Sequence, residues 1–522
     1  MKLEQTVLGI ELGTTRIKAV LLDRGHRVIA SGSHLWENRQ ADGFWTYPME
    51  EIDGGVRACY TALKRDVETR YGIPLTTTGA IGVSAMMHGY LPFDRAGRRL
   101  AEFRTWRNTT TGPASARLTE LFGFHIPQRW CVAHLYQAIL NGEPHVKDIA
   151  RLTTLAGYVH WCLTGENTVG IGEASGIFPL AFGTADYDPR MLEQFDRLVA
   201  DRGYGWKLRE LLPTPLPAGC CGGCLTDSGA RYLDPTGALK SGIPLAPCEG
   251  DADTGMVATN AVRAGTGSVS AGTSVFAMLV TDRPLAVRRE ADIIVTPGGL
   301  PVAMVHCSNC TSDLNAWMGM FAEFAQAVGA PQEMGRLYEL LFRKALEGDP
   351  DGGGLLSYNY FSGECIMGLD QGRPVFVRRP ECPLTLANFM RTHLLSALAT
   401  LKIGLDNLSA CESIEINRVY AHGGFFKTPG VGQEILSAVM EIPVSVMETA
   451  GVGGPYGMAL LCAYMLWREA GETLEDYLEH KVFAHVPTST LMAGEEAVRG
   501  CRRFVQRYRS AIEMETTAIR LI

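Results

Sequence analysis

Residues 250–255 read Gly-Asp-Ala-Asp-Thr-Gly, and we expect the rest of the chain to be organised around them. A helix-like run at 256–260 follows, and a Gly-Thr-Ser turn comes next at 272–274. The Asp251 carboxylate could accept a proton, and a glycine–hydroxyl turn offers backbone and side-chain donors that suit a phosphate. The stretch therefore predicts a site that combines proton transfer with phosphate binding.

A second turn of this kind lies near the N-terminus, in the segment Gly-Ile-Glu-Leu-Gly-Thr-Thr at 9–15. Apolar segments at 6–10, 17–23 and 26–31 predict strands around it, as strand-like segments do around 272–274. One such turn alone is best read as an ordinary hairpin turn, but its repetition indicates two lobes of related design. The candidate phosphate contacts are Gly13, Thr14, Thr15, Lys18, Gly272, Thr273 and Ser274.

The length of 522 residues exceeds what one hydrophobic core usually serves, so we expect two large domains with a cleft between them. A stretch rich in Pro, Gly and Cys at 213–247 marks the boundary. The predicted lobes are residues 1–246 and 247–522.

Composition excludes several classes of partner. The formal charge is −8 and no block of Lys or Arg occurs, which argues against nucleic acid and against an acidic membrane surface. No apolar run resembles a signal peptide or approaches the ~18 residues of a spanning helix, so we expect a cytoplasmic protein. The cysteine clusters at 220–224 and 306–310 have no second ligand pair nearby, which favours thiols over a metal site.

Two further segments carry polar groups typical of a ligand site. A buried strand predicted at 80–85 ends in Met87, His88 and Gly89, and Trp106 follows among polar side chains. Sugars present apolar faces and hydroxyl rims, which suit such a mixture, although a lone histidine or tryptophan is more often structural. Gly423 and Gly424 follow a strand-like segment and permit either close approach of a flat ligand or tight packing.

Taken in chain order, these segments resemble the FGGY carbohydrate kinases of the actin-like ATPase superfamily. The resemblance rests on the motifs at residues 9–15, 87–89, 163–165, 250–251, 272–274 and 423–424. It implies a two-lobed α/β fold in which each lobe has a ribonuclease H-like core of a mixed sheet flanked by helices. It also implies a sugar in the cleft and ATP held mainly by the second lobe.

The resemblance implies roles for single residues. Asp251 matches the catalytic base, and Met87-His88-Gly89 is similar to the sugar-binding motif of xylulose kinases. The residues that match phosphate or adenosine contacts are Thr14, Thr15, Thr273, Gly424 and Thr428. Glu11 stands where the family usually has Asp near Mg²⁺, and the stretch at 453–457 is not the usual alanine-rich version.

The resemblance therefore implies an ATP- and Mg²⁺-dependent kinase for a small sugar, a pentulose such as xylulose. Asp251 and Asp253 lie two residues apart on a helix, so only one of them can face the cleft readily, and we expect Asp251 to do so. Glu11 is the candidate metal ligand. The alternatives are a kinase for another ketose or polyol, such as ribulose or a hexulose, and a non-catalytic sugar or nucleotide sensor. The sequence leaves the oligomeric state open, with a homodimer as one alternative.

Overall fold

A buried antiparallel hairpin begins the chain, as the predicted strands and turn require. Its two strands, at Val7–Leu12 and Arg16–Leu22, join through the Gly-Thr-Thr turn, and a third strand at Val28–Leu35 continues the sheet. The residues that this computed structural model describes are 2–285, 291–410, 414–448 and 453–522.

Strands are short and numerous, as the frequent turn signals predict. They are β1 (Val7–Leu12), β2 (Arg16–Leu22), β3 (Val28–Leu35), β4 (Arg39–Ala41), β5 (Phe44–Thr46), β6 (Ala80–Ala85), β7 (Leu91–Phe93), β8 (Arg151–Thr153), β9 (Thr168–Gly170), β10 (Thr214–Leu216), β11 (Glu249–Gly250), β12 (Thr266–Ala271), β13 (Val275–Val280), β14 (Asp292–Val295), β15 (Pro301–Cys307), β16 (Leu356–Tyr358), β17 (Val375–Val377), β18 (Arg418–His422), β19 (Val444–Met447) and β20 (Thr488–Leu491).

Helices lie between and beyond these strands. They are α1 (Met49–Tyr71), α2 (Gly112–Phe122), α3 (Cys131–Leu140), α4 (Leu155–Thr164), α5 (Ile171–Ser175), α6 (Pro189–Leu198), α7 (Leu208–Leu211), α8 (Asp227–Leu233), α9 (Asp251–Ala258), α10 (Ser312–Ala327), α11 (Met334–Ala345), α12 (Leu386–Ser409), α13 (Val431–Met440), α14 (Gly454–Trp467), α15 (Leu474–Tyr477), α16 (Glu495–Ser510) and α17 (Glu513–Leu521). The helix expected from residue 256 in fact begins at Asp251, because extended Gly250 serves as its N-cap.

The first sheet is mixed and is covered on both faces. Within the described residues it has five strands in the order β11–β6–β1–β2–β3. Strand β1 pairs antiparallel with β2 and parallel with β6. Helix α1 packs on β2 and β3, and α14 packs on β1 and β6. All residues of β1 and β6 are therefore buried, and their sequences are nearly continuous apolar runs.

The second sheet repeats the arrangement of the first. Its order across the described residues is β14–β15–β13–β12–β18–β19–β20, seven strands in all. Strands β12 and β13 form an antiparallel hairpin around the Gly-Thr-Ser turn, and β12 pairs parallel with β18. Each sheet thus has a hairpin with a glycine–hydroxyl turn and a parallel strand beside the first hairpin strand. This repetition confirms the prediction of two lobes with an actin-like, ribonuclease H-like fold.

Helix α14 connects the end of the chain to the first lobe. It packs on β1, β6 and α9. A Cβ atom at Gly9 would collide with the Pro455 carbonyl oxygen, and one at Gly457 would collide with the Thr254 carbonyl oxygen. Glycines at the contact therefore let α14 lie directly against the strand and the helix that carry candidate site residues.

The segment around the predicted lobe boundary also joins the first sheet. Strand β11 follows residue 246 closely and pairs parallel with β6. The first sheet thus extends beyond the proposed boundary at 246/247, and the division of tasks between the two lobes stays a prediction. Among the helices of the described segments, none combines the length and apolar character needed to cross a membrane.

Candidate active site

A cleft of ≈ 660 Å³ lies between the two sheets, at the strand ends where polar groups were expected. The predicted site residues that line it are Glu11, Thr14, Lys18, Met87, His88, Trp106, Asp251, Ser274, Gly423 and Gly424. The predicted residues that do not line it are Gly13, Thr15, Gly89, Gly272, Thr273 and Thr428. Thr15 and Thr273 are exposed, whereas Gly89 and Thr428 are buried.

Asp251 is the first residue of α9 and is partly buried at the cleft. Its Oδ1 accepts a hydrogen bond from the Met87 backbone N–H at 3.3 Å. Burial raises the pKa of this carboxyl to about 6, although nearby backbone N–H groups, that of Met87 first among them, oppose the change. At neutral pH the group is an ionised carboxylate that can accept a proton.

Asp253 has a different environment from Asp251. It is fully buried, and its two carboxyl oxygens have no hydrogen-bond partner. Glu173 and Glu249 are buried beside it, and the Glu173 N–H donates to Glu249 Oε2 at 2.7 Å. Burial, with the repulsion between neighbouring carboxyls, raises the pKa of each of the three carboxyls. Only Asp251 of this acidic group lines the cleft.

Glu11 and Lys18 face each other across the first hairpin. They are paired in the register of β1 and β2, and Lys18 Nζ lies 3.6 Å from Glu11 Oε2. Burial raises the pKa of Glu11 to about 7, with Lys18 opposing and Asp251 adding to the shift. Glu11 and Asp251 are therefore close enough for their charges to interact. In the described part of the chain, no group of three or more His, Cys, Asp or Glu is arranged to hold a metal ion.

The two glycine–hydroxyl turns are each held from outside the cleft. In the first, Trp36 Nε1 donates to the Gly13 carbonyl at 2.7 Å and the Tyr47 hydroxyl donates to the Thr14 carbonyl. In the second, Thr311 Oγ1 donates to the Gly272 carbonyl at 2.7 Å. These bonds fix the turns so that Thr14 and Ser274 line the cleft.

The glycine pair at 423–424 has two separate roles. Gly423 has φ 105°, and a Cβ there would collide with the Ala271 carbonyl oxygen, so tight packing requires this glycine. Gly424 meets no other atom within 4 Å of a Cβ position, so it leaves open space at the cleft. The residues that surround this space are His422, Phe426, Lys427, Val446 and Met447. They form a largely apolar pocket that suits a flat ring.

His88 lines the cleft beside Met87. It has φ 69° and is only 4% exposed. Its Nδ1 lies 3.2 Å from the Gly176 carbonyl, which can only accept, so Nδ1 carries the proton and Nε2 is the acceptor. Burial, with the nearby Arg129 charge, holds the pKa of His88 well below its usual range. The neutral ring can therefore accept a hydrogen bond from a hydroxyl.

Sequence reasoning missed several residues that line the cleft. Arg129 precedes α3 with no local signal of function, whereas His306 near the end of β15 fits the rule that polar groups at strand ends line a crevice. The other missed polar or aromatic lining residues are Thr259, Ser270, Phe276, His422, Phe426 and Lys427. Asn108 holds the Trp106 loop through bonds to the backbone of Trp45.

Two related lobes around a cleft with a carboxylate and two hydroxyl turns define a phosphotransferase of the actin-like ATPase class. The family models confirm this class. The N-terminal domain of the FGGY family of carbohydrate kinases matches residues 6–257, and its C-terminal domain matches residues 267–466. The chain belongs to the FGGY family of carbohydrate kinases, whose members use ATP as phosphate donor.

Individual relatives differ in substrate. The xylulose kinase of Haemophilus influenzae is 23% identical over 474 residues, 86% of this chain and 89% of that protein. The glycerol kinase of Thermococcus gammatolerans is 24% identical over 237 residues, so the match spans 41% of this chain and 47%, about half, of that relative. Two solved structures from Lactobacillus acidophilus, a xylulose kinase and a gluconate kinase, each give a TM-score of 0.79 at 15% identity over 98% of both chains.

Proposed function

We propose that this kinase transfers the γ-phosphoryl group of ATP to a hydroxyl of a pentulose such as xylulose, with Asp251 as general base. The observation that carries the proposal is the hydrogen bond from the Met87 N–H to Asp251 Oδ1 at 3.3 Å. It places the carboxylate next to the Met87–His88 segment at the cleft. The likeness to a xylulose kinase over most of the chain supports the pentulose.

The chemical step needs a proton acceptor because a sugar hydroxyl is a poor nucleophile at neutral pH. As the sugar oxygen forms its bond to the γ-phosphorus, its proton passes to the Asp251 carboxylate. The bond between the γ-phosphorus and the β–γ bridging oxygen breaks, and ADP leaves with that electron pair. Because its pKa is about 6, Asp251 is ionised at neutral pH yet basic enough to take the proton.

The phosphates would lie between the two hydroxyl turns. Thr14 and Ser274 can donate to phosphate oxygens from opposite sides, and Lys18 supplies positive charge. The Glu11 carboxylate lines the cleft near Asp251, and carboxylate oxygens are the ligands that Mg²⁺ prefers, so Glu11 fits the metal. Bound Mg²⁺ would neutralise charge on the β- and γ-phosphates. The apolar pocket beside Gly424 would take the adenine.

The sugar would lie between Asp251 and His88. His88 Nε2 can accept from a sugar hydroxyl, and Trp106 offers an aromatic face for the apolar side of the ring or chain. His88 and Trp106 both belong to the first lobe, whereas the pocket proposed for adenine belongs to the second. The sugar and the nucleotide would therefore approach Asp251 from different sides. A homodimer and a cytoplasmic location remain predictions.

A panel assay tests the proposed function. ADP release would be measured with pentuloses, hexuloses, glycerol and other polyols, each with and without Mg²⁺. We expect Mg²⁺-dependent release with the highest kcat/KM for xylulose. A preference for another ketose or for a polyol would show that the proposed acceptor is wrong, while the proposed phosphoryl transfer would stand. ADP release that ignores every acceptor, or no release, would favour the sensor and overturn the kinase for this chain.

A further inference from the structure

An ion pair joins the two lobes at one end of the cleft. Arg129 lies between α2 and α3 of the first lobe, and Asp292 begins β14 at the edge of the second sheet. The Arg129 Nη2 group bonds Asp292 Oδ2, and Asp292 Oδ1 lies 3.5 Å from His125 Nε2. Asp292 is buried, whereas the Arg129 side chain is 22% exposed and lines the cleft.

Arg129 is placed next to the proposed sugar site. Its backbone carbonyl accepts from the Gly89 N–H at 3.2 Å, directly after His88. From the second lobe, His306 lines the same cleft and pairs with Phe276, whose ring is 6.3 Å away. The charge of Arg129 acts on both histidines and helps burial to lower their pKa values. The three side chains therefore share one end of the cleft.

This end of the cleft has polar groups but little net charge. Burial lowers the pKa of His306 to about 4 and holds the pKa of His88 well below its usual range, so both rings are neutral at neutral pH. Arg129 is always protonated, and its charge is balanced by Asp292. An incoming anion would have to compete with Asp292 for the guanidinium. The free energy lost when the anion leaves water would then not be offset by a new ion pair. An uncharged hydroxyl has no such cost.

We propose that the Arg129–Asp292 pair contacts the end of the acceptor that is remote from the reacting hydroxyl. The pair selects acceptors whose remote end carries uncharged hydroxyls over acceptors whose remote end is a carboxylate. The proposal rests on the proposed function, because it assigns the acceptor to the site beside Asp251. A guanidinium has five N–H donors, so Arg129 can bond Asp292 and still donate to hydroxyl oxygens. The pair spans both lobes, so the acceptor end is recognised where the lobes meet.

Matched acceptors and charge variants test the selection. Steady-state kinetics would compare D-xylulose with D-xylonate, a sugar acid of equal chain length, for the wild type, Asp292→Asn and Arg129→Met. In the wild type we expect xylulose to be preferred. Asp292→Asn should raise the kcat/KM ratio of xylonate to xylulose about tenfold or more, because it leaves Arg129 uncompensated. Arg129→Met should raise the KM for xylulose about tenfold with less than about a twofold change for ATP.

A double variant and a surface control complete the design. Arg129→Met with Asp292→Asn leaves no unpaired buried charge, so it should fold and show no gain for xylonate. Arg117→Met removes an exposed pair with Glu120 and should change neither KM. An equal effect of Asp292→Asn on both acceptors, or a wild type that prefers xylonate, would overturn the selection while leaving a kinase. Absence of turnover with every acceptor would instead overturn the proposed function, and this inference with it.

Discussion

Glu11 Oε1 packs so closely against Gly454 that a methyl group on that glycine would collide with the carboxylate. Glu11 is one methylene longer than the Asp expected at this position of β1, and residues 453–457 lack the expected alanines. The contact requires a residue without a Cβ at 454 beside the glutamate at 11. The longer side chain reaches the cleft because the first residue of α14 has no Cβ.

Gly454→Ala should therefore displace Glu11. We expect a loss of about 1–3 kcal/mol in the free energy of unfolding from overpacking, and a lower apparent affinity for Mg²⁺. The double variant Gly454→Ala with Glu11→Asp should recover much of the stability, because the shorter carboxylate makes room for the methyl group. Denaturant unfolding and kinetics over a range of Mg²⁺ concentrations measure both effects.

The control is Gly54→Ala on α1, where a Cβ meets no atom within 4 Å. That change should be neutral or stabilise the protein by up to about 1 kcal/mol, since alanine favours a helix. If the double variant were no more stable than Gly454→Ala alone, the proposed fit between the two residues would be wrong.

Replacement of the base should separate binding from chemistry. Asp251→Asn should lower kcat by at least about 10²-fold while ATP and sugar still bind, because an amide cannot accept the proton. Asp253→Asn is the matched control two residues along the same helix. Asp253 is fully buried and does not line the cleft, so an amide of the same shape should leave kcat nearly unchanged. Turnover by the first variant at the wild-type rate would place the base elsewhere.

The activity should show an acidic limb near pH 6. The pKa of Asp251 is raised from 3.8 to about 6, so the carboxylate becomes protonated, and loses its role as base, as the pH falls through that value. At saturating Mg²⁺, which would keep the proposed metal ligand Glu11 ionised, the log of kcat/KM should fall with a slope near one below it. Glu11 has a pKa of about 7, so Glu11→Gln serves as the control. If the acidic limb disappeared in Glu11→Gln, the limb would report the titration of Glu11 and not that of Asp251.

The sequence predicted the local parts of this structure well. Strand β6 occupies the predicted residues 80–85, and β2 at Arg16–Leu22 lies over the strand-like segment predicted at 17–23. Alternation, apolar runs and turn residues are local signals, and the Gly72 C-cap with φ 67° shows such a signal acting at a helix end. The lobe design was predictable for the same reason, because both hairpins repeat one local pattern.

The pairing of distant segments was not predictable in this way. Arg129 meets Asp292, and Glu11 meets Gly454, only because the two lobes and α14 come together in the folded chain. No local propensity encodes such a contact. Thr15 and Thr273 show the converse, since a correct turn does not determine which of its hydroxyls faces the cleft.

The buried carboxyls predict a dependence of stability on pH. Burial raises the pKa of Glu173 from 4.5 to about 8, so between these values the folded state binds more protons than the unfolded state. Stability should thus be highest at the acidic end and fall as pH rises from about 4.5 to about 8, on the order of 1 kcal/mol per unit. Glu173→Gln should flatten this slope in denaturant unfolding.

Glu120→Gln is the control for that measurement, because its side chain is 76% exposed and the change should leave the slope as in the wild type. An unchanged slope in Glu173→Gln would show that this carboxyl is ionised in the folded protein.

His88 should be tested with asparagine. Its φ of 69° is tolerated by asparagine better than by alanine, so His88→Asn keeps the backbone and removes the ring nitrogen proposed to bind the sugar. We expect the KM for sugar to rise about tenfold and the KM for ATP to change less than about twofold, because a single hydrogen bond to the acceptor is lost.

His26→Asn is the matched control. His26 also has positive φ, at 61°, but bonds the Tyr477 hydroxyl and does not line the cleft. Equal increases in both KM values for His88→Asn, or an effect of the same size for His26→Asn, would remove His88 from the sugar site.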